Sequence, residues 1–342
     1  MKIRIYQIVI ILFSASIITA QSFVTNVSKK GTSAAPFLSI GQGAKATGMG
    51  SAFVAISDDP SAIFWNPAGL TKVEGVGVIF DHTQWIADIN YNFFAASYNL
   101  GDYGSIGVSF LTSSMDDMPV TTIMDPEGTG ETFNVSDAMF SLGYAINLTN
   151  NFSIGFNGKF VHQKIWKMDA TAFALDIGVQ YVTPFDGAVL AMSISNFGTK
   201  MKLDGTSALV LYDPDLQSSG NNNQIPAYLQ TDNWELPLNF RVGIAYQPIS
   251  SNNHKVTLAV DAIHPSDSYE SINAGIEYSF SDFFFVRGGL KSLFLDDSEE
   301  SFTFGAGIKQ LLLGNISIQV DYAYGDFGRL TNIQKLSVGI RF

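Results

Sequence analysis

Paired carboxylates, histidines at ligand spacing, nucleophiles beside bases and glycine-rich loops are the patterns through which a chain performs chemistry. Four histidines are present, His82, His162, His254 and His264. No two are spaced i, i+4 with the glutamate a zinc hydrolase needs, so they read as strand or loop residues rather than ligands. Asp58 and Asp59 could form an acid/base pair. Followed by Pro60, they are more simply a helix start, with an aspartate capping the first turn. Asp296, Asp297, Glu299 and Glu300 offer hard oxygen ligands but lack the glycine-containing spacing of a calcium loop, and read as a solvated loop. Gly41-Gln42-Gly43, followed by Gly48, lacks the Gly-Lys-Ser/Thr ending of a phosphate loop. There is no cysteine, and no serine stands in a nucleophile constellation. These patterns assign no catalytic residue, no metal ligand and no cofactor, and the chain is not expected to be an enzyme.

The elements that hold these residues say more. Lys2 and Arg4 precede an apolar stretch over 6–18, and Thr19-Ala20 supply small residues before Gln21. This is the layout of a secretory signal peptide, 1–20, cleaved after Ala20. The stretch is short for a membrane anchor, which needs about 20 apolar residues. Of 19 basic residues, the loss of Lys2 and Arg4 leaves 17 against 31 acidic, a net charge of −14. Such a charge excludes nucleic acid as a partner, since phosphates require a basic surface. An exported chain without cysteine must draw stability from a large core or a closed hydrogen-bonded barrel. No later run of 18 apolar residues exists, so no membrane-spanning helix is expected. Yet only 15% of residues are charged, against about 25% in soluble domains. Something other than water must solvate this surface.

Period-two alternation dominates the rest. In the last segment Leu336, Val338, Ile340 and Phe342 share one face and Lys335, Ser337, Gly339 and Arg341 the other. Leu238, Phe240, Val242, Ile244 and Tyr246 repeat the pattern, as do Ile272, Ala274, Ile276, Tyr278 and Phe280. The polar phases carry Gly, Ser, Asn and few charges, suited to a crowded interior, while the apolar phases end in Tyr or Phe, as interfacial aromatic girdles do. The reading is an all-β transmembrane barrel of 14 antiparallel strands in a bacterial outer membrane, with lipid as its outer partner. Strands are expected at 74–86, 90–100, 103–113, 131–148, 151–166, 169–182, 188–197, 235–248, 254–263, 269–280, 283–292, 301–311, 315–325 and 334–342. The longest connections, 114–130, 198–234 and 293–300, then fall on one side and the tight ones, including 101–102, 149–150, 281–282 and 312–314, on the other. Charges in the polar phase, Asp176, Arg241, Glu277, Lys309, Asp321 and Arg341, are expected in interior ion pairs.

Before the first strand, 34–72 has a different character. Glycines cluster at Gly41, Gly43, Gly48 and Gly50, Asp58-Asp59-Pro60 starts a helix, and Trp65-Asn66-Pro67-Ala68-Gly69 stops it in a turn. A compact segment here would fold back into the barrel as a plug with short helices. The run Gly48-Met49-Gly50-Ser51-Ala52, then Asp58-Asp59-Pro60, then Asn66-Pro67-Ala68-Gly69-Leu70 resembles the N-terminal hatch of FadL-like long-chain fatty-acid transporters, in wording closest to their PorV/PorQ branch. The resemblance is specific over 34–72 and diffuse beyond. It implies a signal peptide (1–20), an N-terminal segment with hatch (21–72) and a barrel (73–342) in a Gram-negative outer membrane. It also implies a link to type IX secretion, with secretion-system proteins and exported cargo as partners. The alternative it leaves open is passage of hydrophobic small molecules such as fatty acids or hydrocarbons, which predicts an apolar pocket behind 48–70. The aromatic Phe342 resembles the signal read by outer-membrane barrel assembly machinery.

Overall fold

The computed structural model describes residues 29–342 except 186, 216, 218–223, 296–297 and 313–315. The expected signal peptide and the carboxylates Asp296 and Asp297 lie outside the described residues, as does most of the expected turn 312–314.

Alternating side chains force each long segment to present one apolar and one polar edge, and unpaired backbone groups force each segment to find two neighbours. Fourteen strands satisfy both demands: β1 Val76–Gln84, β2 Asn90–Asn99, β3 Ser105–Ser114, β4 Val135–Thr149, β5 Phe152–Ile165, β6 Met168–Val182, β7 Ala188–Gly198, β8 Asn239–Ser250, β9 His254–Pro265, β10 Ser271–Phe280, β11 Phe284–Leu293, β12 Phe302–Leu311, β13 Ser317–Asp326 and β14 Asn332–Arg341. Each pairs antiparallel with the next. β14 returns to β1 in a register running from Gly77 opposite Arg341 to Gln84 opposite Gln334, so the sheet closes without a free edge.

The expected inversion is observed. Along β1, Gly77, Ile79, Asp81 and Thr83 are buried whereas Phe80 is exposed. Ser109, Asn157, Asp176, Asp261, Arg287 and Ser337 are buried, while Phe110, Phe156, Ile177, Val260, Val286 and Leu336 stand out from the wall. The exposed apolar phase is the lipid face. Tyr98, Tyr181, Tyr246, Tyr278 and Phe280 ring one end of it, and Phe160 and Phe173 pair toward the other at 5.3 Å. Amphipathic rings settle where headgroups meet hydrocarbon.

The long connections 115–134, 199–238 and 294–301 all lie at one end with 85–89, 266–270 and 327–331. The other end carries 100–104, 150–151, 183–187, 251–253, 281–283 and 312–316. Ile165 to Met168 is the short turn at the long-loop end. Long outer loops and short periplasmic turns are the asymmetry of outer-membrane barrels, which places the long-loop end outside. The loops carry ladders that alternation did not reveal: Met118–Pro119 with Thr132–Phe133, Leu209–Tyr212 with Ile225–Tyr228, and Met201–Lys202 with Asn233–Trp234.

Val260 sits mid-strand on the lipid face. Val260→Lys should cost about 2–4 kcal/mol if it lies near the bilayer midplane. Val260→Leu should be near neutral, as read by denaturant unfolding from lipid vesicles.

Candidate functional site

The segment before β1 lies inside the barrel, and most of Ala35 to Val73 is buried. It runs through a 3-10 turn Pro36–Ser39, a short helix α1 Ala44–Gly48, a second short helix α2 Ala62–Trp65 and a 3-10 turn Pro67–Lys72. Its apolar side chains gather around Trp65, whose ring meets Phe53 and Phe64 edge-on at 6.0 and 5.6 Å. Trp65 Nε1 donates to the Gln42 carbonyl at 2.8 Å, so the buried indole has no orphaned donor.

A segment with so little regular structure brings many unpaired backbone groups into a water-poor space, and the polar phase of the wall supplies their partners. Gly43 N–H donates to Asp81 Oδ2 at 3.1 Å and Ala44 N–H to Ser337 Oγ at 2.7 Å. Ser337 Oγ donates in turn to Asp81 Oδ1 at 2.5 Å. Gly50 N–H donates to Thr303 Oγ1 at 2.9 Å, and Phe53 and Val54 N–H converge on Asp261 Oδ2 at 2.8 and 3.0 Å. Gln180 donates to the Val54 carbonyl and Asn157 to that of Ile63, at 3.1 and 3.0 Å. Lys335 Nζ donates to the Gly41 carbonyl.

The motif residues fall at the closest approaches. Gly50 takes φ +65°, and a Cβ there would lie 2.7 Å from the Ala274 carbonyl oxygen. The wall gives way in return, since a Cβ on Gly289 would strike Gly50 N. Gly48 faces Gly305, with 3.0 Å from a built Cβ to the Gly305 Cα. Asn66 ends α2 in an extended conformation, and its Oδ1 accepts from Ala68 N–H at 3.1 Å. Its Nδ2 donates to the Val54 and Val179 carbonyls, both at 3.1 Å, over Gly178, where a side chain would collide with it. Pro67 and Ala68 lie against Gly155, and Gly69 against the Ser57 carbonyl. The expected stop and turn over Trp65 to Gly69 is therefore present.

The dyad divides its work. Asp59 Oδ1 accepts from Ser61 N–H and Oγ at 2.8 and 2.5 Å, fastening the turn that leads through Pro60 into α2. Asp58 caps nothing; both its oxygens accept from Lys45 Nζ, at 2.7 and 2.8 Å. Of the two aspartates expected at a helix start, one turns the chain and the other ties it to α1. Burial raises the Asp58 carboxyl, but the adjacent Lys45 ammonium outweighs it and lowers the group to about 2. Asp59 is pushed up by burial and by the charge of Asp58.

Charges in the wall are arranged to tolerate burial. Lys159 and Asp176, each with a side chain 1% exposed, pair at 2.7 Å. Arg287 Nε meets Glu277 and Nη1 meets Asp321, both at 2.6 Å, beneath the crossing of Gly48 and Gly305. A buried ion is costly unless paired and hydrogen-bonded. The expected ion pairs thus hold for Asp176, Glu277 and Asp321. They do not hold for Lys309, which has no ion pair among the described residues, nor for Arg241, whose guanidinium lies 4.8 Å from the Trp65 ring centre. Arg341 donates instead to the Asp58 carbonyl at 3.0 Å. His82, His254 and His264 face Asn92, Tyr278 and Glu270, and no ligand cluster occurs among the described residues.

The plug leaves a cavity on each side. The inner one, about 350 Å³, is lined by Lys45, Asp58, Lys72, Asp282, Lys309 and Arg341 among others. The outer, about 260 Å³, includes Trp65, Trp85, Arg241, Tyr269, Asn273 and Glu300. On the inner side of the plug the space is walled largely by charged side chains, and on the outer side by Trp65, Trp85, Ile263 and Leu295 together with polar groups. The wall glycines and the aspartates that seat the plug escaped the sequence reading, although they stand in the polar phase of recognised strands.

Asn66→Ala removes three hydrogen bonds in a buried crossing and should loosen the plug by about 2–4 kcal/mol. Faster hydrogen exchange over 54–68 with unchanged barrel exchange would be the readout. For Asp58 the folded value lies below the ordinary 3.8, so its contribution is present above about 4 and lost as pH falls toward 2. Its side chain is 42% exposed, so water screens the effect. The difference in plug protection between the wild type and Asp58→Asn should shrink over that interval, measured by hydrogen exchange at stepped pH.

The fold recurs in solved structures. The Ralstonia pickettii toluene transporter TbuX aligns with TM-score 0.53 and 12% identity, over 88% of this chain and 98% of that one. The Pseudomonas putida toluene transporter TodX aligns with TM-score 0.55 and 12% identity, over 88% and 96%. A Pseudomonas aeruginosa FadL homologue aligns with TM-score 0.51 and 11% identity, over 89% and 98%. No curated protein matches the sequence. The family model described as type IX secretion system protein PorV matches residues 24–264. This plugged outer-membrane barrel therefore belongs to the PorV family.

Proposed function

We propose that the chain serves type IX protein secretion in the outer membrane of a Gram-negative bacterium, as a barrel that receives exported cargo or presents it for surface attachment. The family match carries this reading. The lumen supports it: the plug is hydrogen-bonded to the wall around its circumference, and charged side chains line the inner cavity. Gly48, Gly50, Asp58, Asp59, Pro60, Trp65, Asn66, Pro67, Ala68 and Gly69 then act as the seal, leaving the outer loops to meet cargo and secretion proteins. Residues 1–20 serve as the cleaved export signal, 21–72 as leader segment and hatch, 73–342 as barrel, and Phe342 as the mark read by the barrel assembly machinery.

A second reading, a channel for hydrophobic small molecules, is favoured by the likeness in fold to two toluene transporters. One experiment separates the two. Deleting the gene should leave type IX cargo unattached or retained inside the cell, and re-expression should restore surface display. Normal display in the deletion strain, with impaired uptake of toluene or oleate, would reverse the assignment.

A further inference from the structure

The outer cavity holds a guanidinium that makes no ion pair among the described residues. Arg241 lines it from β8 with its guanidinium carbon 4.8 Å over the Trp65 ring centre; its Nε is buried without a partner, and the guanidinium makes no hydrogen bond or ion pair among the described residues. Asp261, on the neighbouring strand, is engaged through Oδ2 by the backbone of Phe53 and Val54, and its Oδ1, buried without a hydrogen bond, makes no ion pair with Arg241. The other, Glu300, is held by Lys291 and by Ser292 Oγ. Asn273, 1% exposed, also lines the cavity; its Oδ1 accepts from Ser292 N–H at 2.8 Å, but its Nδ2 finds no acceptor among the described residues. Among the described residues of the lining, Lys291 and Glu300 pair with each other, which leaves Arg241 without an ion pair.

Unsatisfied donors at a buried position are costly unless something accepts from them. Arg presents a planar fork that matches a carboxylate, and here the guanidinium carbon lies over an indole while Nε has no partner. Trp85 forms another wall and is fixed edge-on by Tyr91 at 6.3 Å and Phe327 at 5.1 Å. Tyr269 and Leu295 complete an apolar rim. At about 260 Å³ the space lies below the range of about 300–1,000 Å³ for drug-sized ligands. The plug closes it toward the periplasm, so it suits capture from outside.

We propose that this cavity is a binding site for a small carboxylate carried on a planar or short apolar body, with Arg241 and the Asn273 amide holding the carboxylate and Trp85 packing against the body. The site is independent of the secretion reading, because it rests only on donors and walls facing outward above the plug.

The test uses the full-length protein in nanodiscs, titrated calorimetrically and by tryptophan fluorescence with benzoate and indole-3-acetate. Their amides and inorganic phosphate serve as controls. The acids should bind and the amides and phosphate should not. Arg241→Gln should weaken binding about tenfold or more, and Arg241→Lys should not restore it. If Arg241→Gln does not fold, Asn273→Ala decides, with affinity reduced about threefold or more expected. Absence of binding to either acid, equal binding of acids and amides, equal binding of phosphate, or unchanged affinity in the folded variants would overturn the assignment.

Discussion

Hydrocarbon offers no partner to a backbone N–H or C=O, and the rest of this molecule follows from that. Every strand must be paired on both sides, so the sheet closes, β14 against β1. Once closed, alternation divides each strand between two solvents. The outer phase must be apolar because lipid touches it; the inner phase is free to be polar. Eight strands enclose a space that side chains can fill, whereas barrels of 16 to 18 leave an aqueous channel. Fourteen lie between, and here the chain fills the excess with its own N-terminal segment.

That segment is seated through its backbone as well as through the packing of its apolar side chains. Short helices and glycine turns leave many peptide groups exposed, and Asp81, Ser337, Thr303, Asp261, Gln180 and Asn157 on the wall satisfy them. Close approach needs small residues on both sides, which is why Gly48 and Gly50 meet Gly305 and Gly289. The same contacts divide the lumen into an inner and an outer compartment, so what holds the fold together also sets what the barrel can pass.

Electrostatics then distinguish the compartments. The buried pair of Lys159 with Asp176 and the triad of Arg287 with Glu277 and Asp321 cancel within the wall. The inner cavity mixes cations and carboxylates, with Lys45 tied to Asp58 and Lys255 to Asp282. The outer cavity carries Arg241, whose guanidinium makes no ion pair among the described residues.

Strand identity was legible in the sequence because burial on one side and lipid on the other impose a period of two that survives in local order. Fourteen strands, their approximate bounds, the inversion of faces and the placement of long loops all came from that signal. The plug was legible in its turns, since Asp59 before Pro60 and Asn66 before Pro67 act within a few residues. What alternation could not show is which polar residue meets which. Asp58 pairs with Lys45 rather than capping α2, Arg241 lies against Trp65, and Gly178 clears space for Asn66. These contacts join positions far apart in the chain, and only the closed barrel brings them together. A residue's type records that it faces inward; its partner is decided when the plug enters and the wall closes around it.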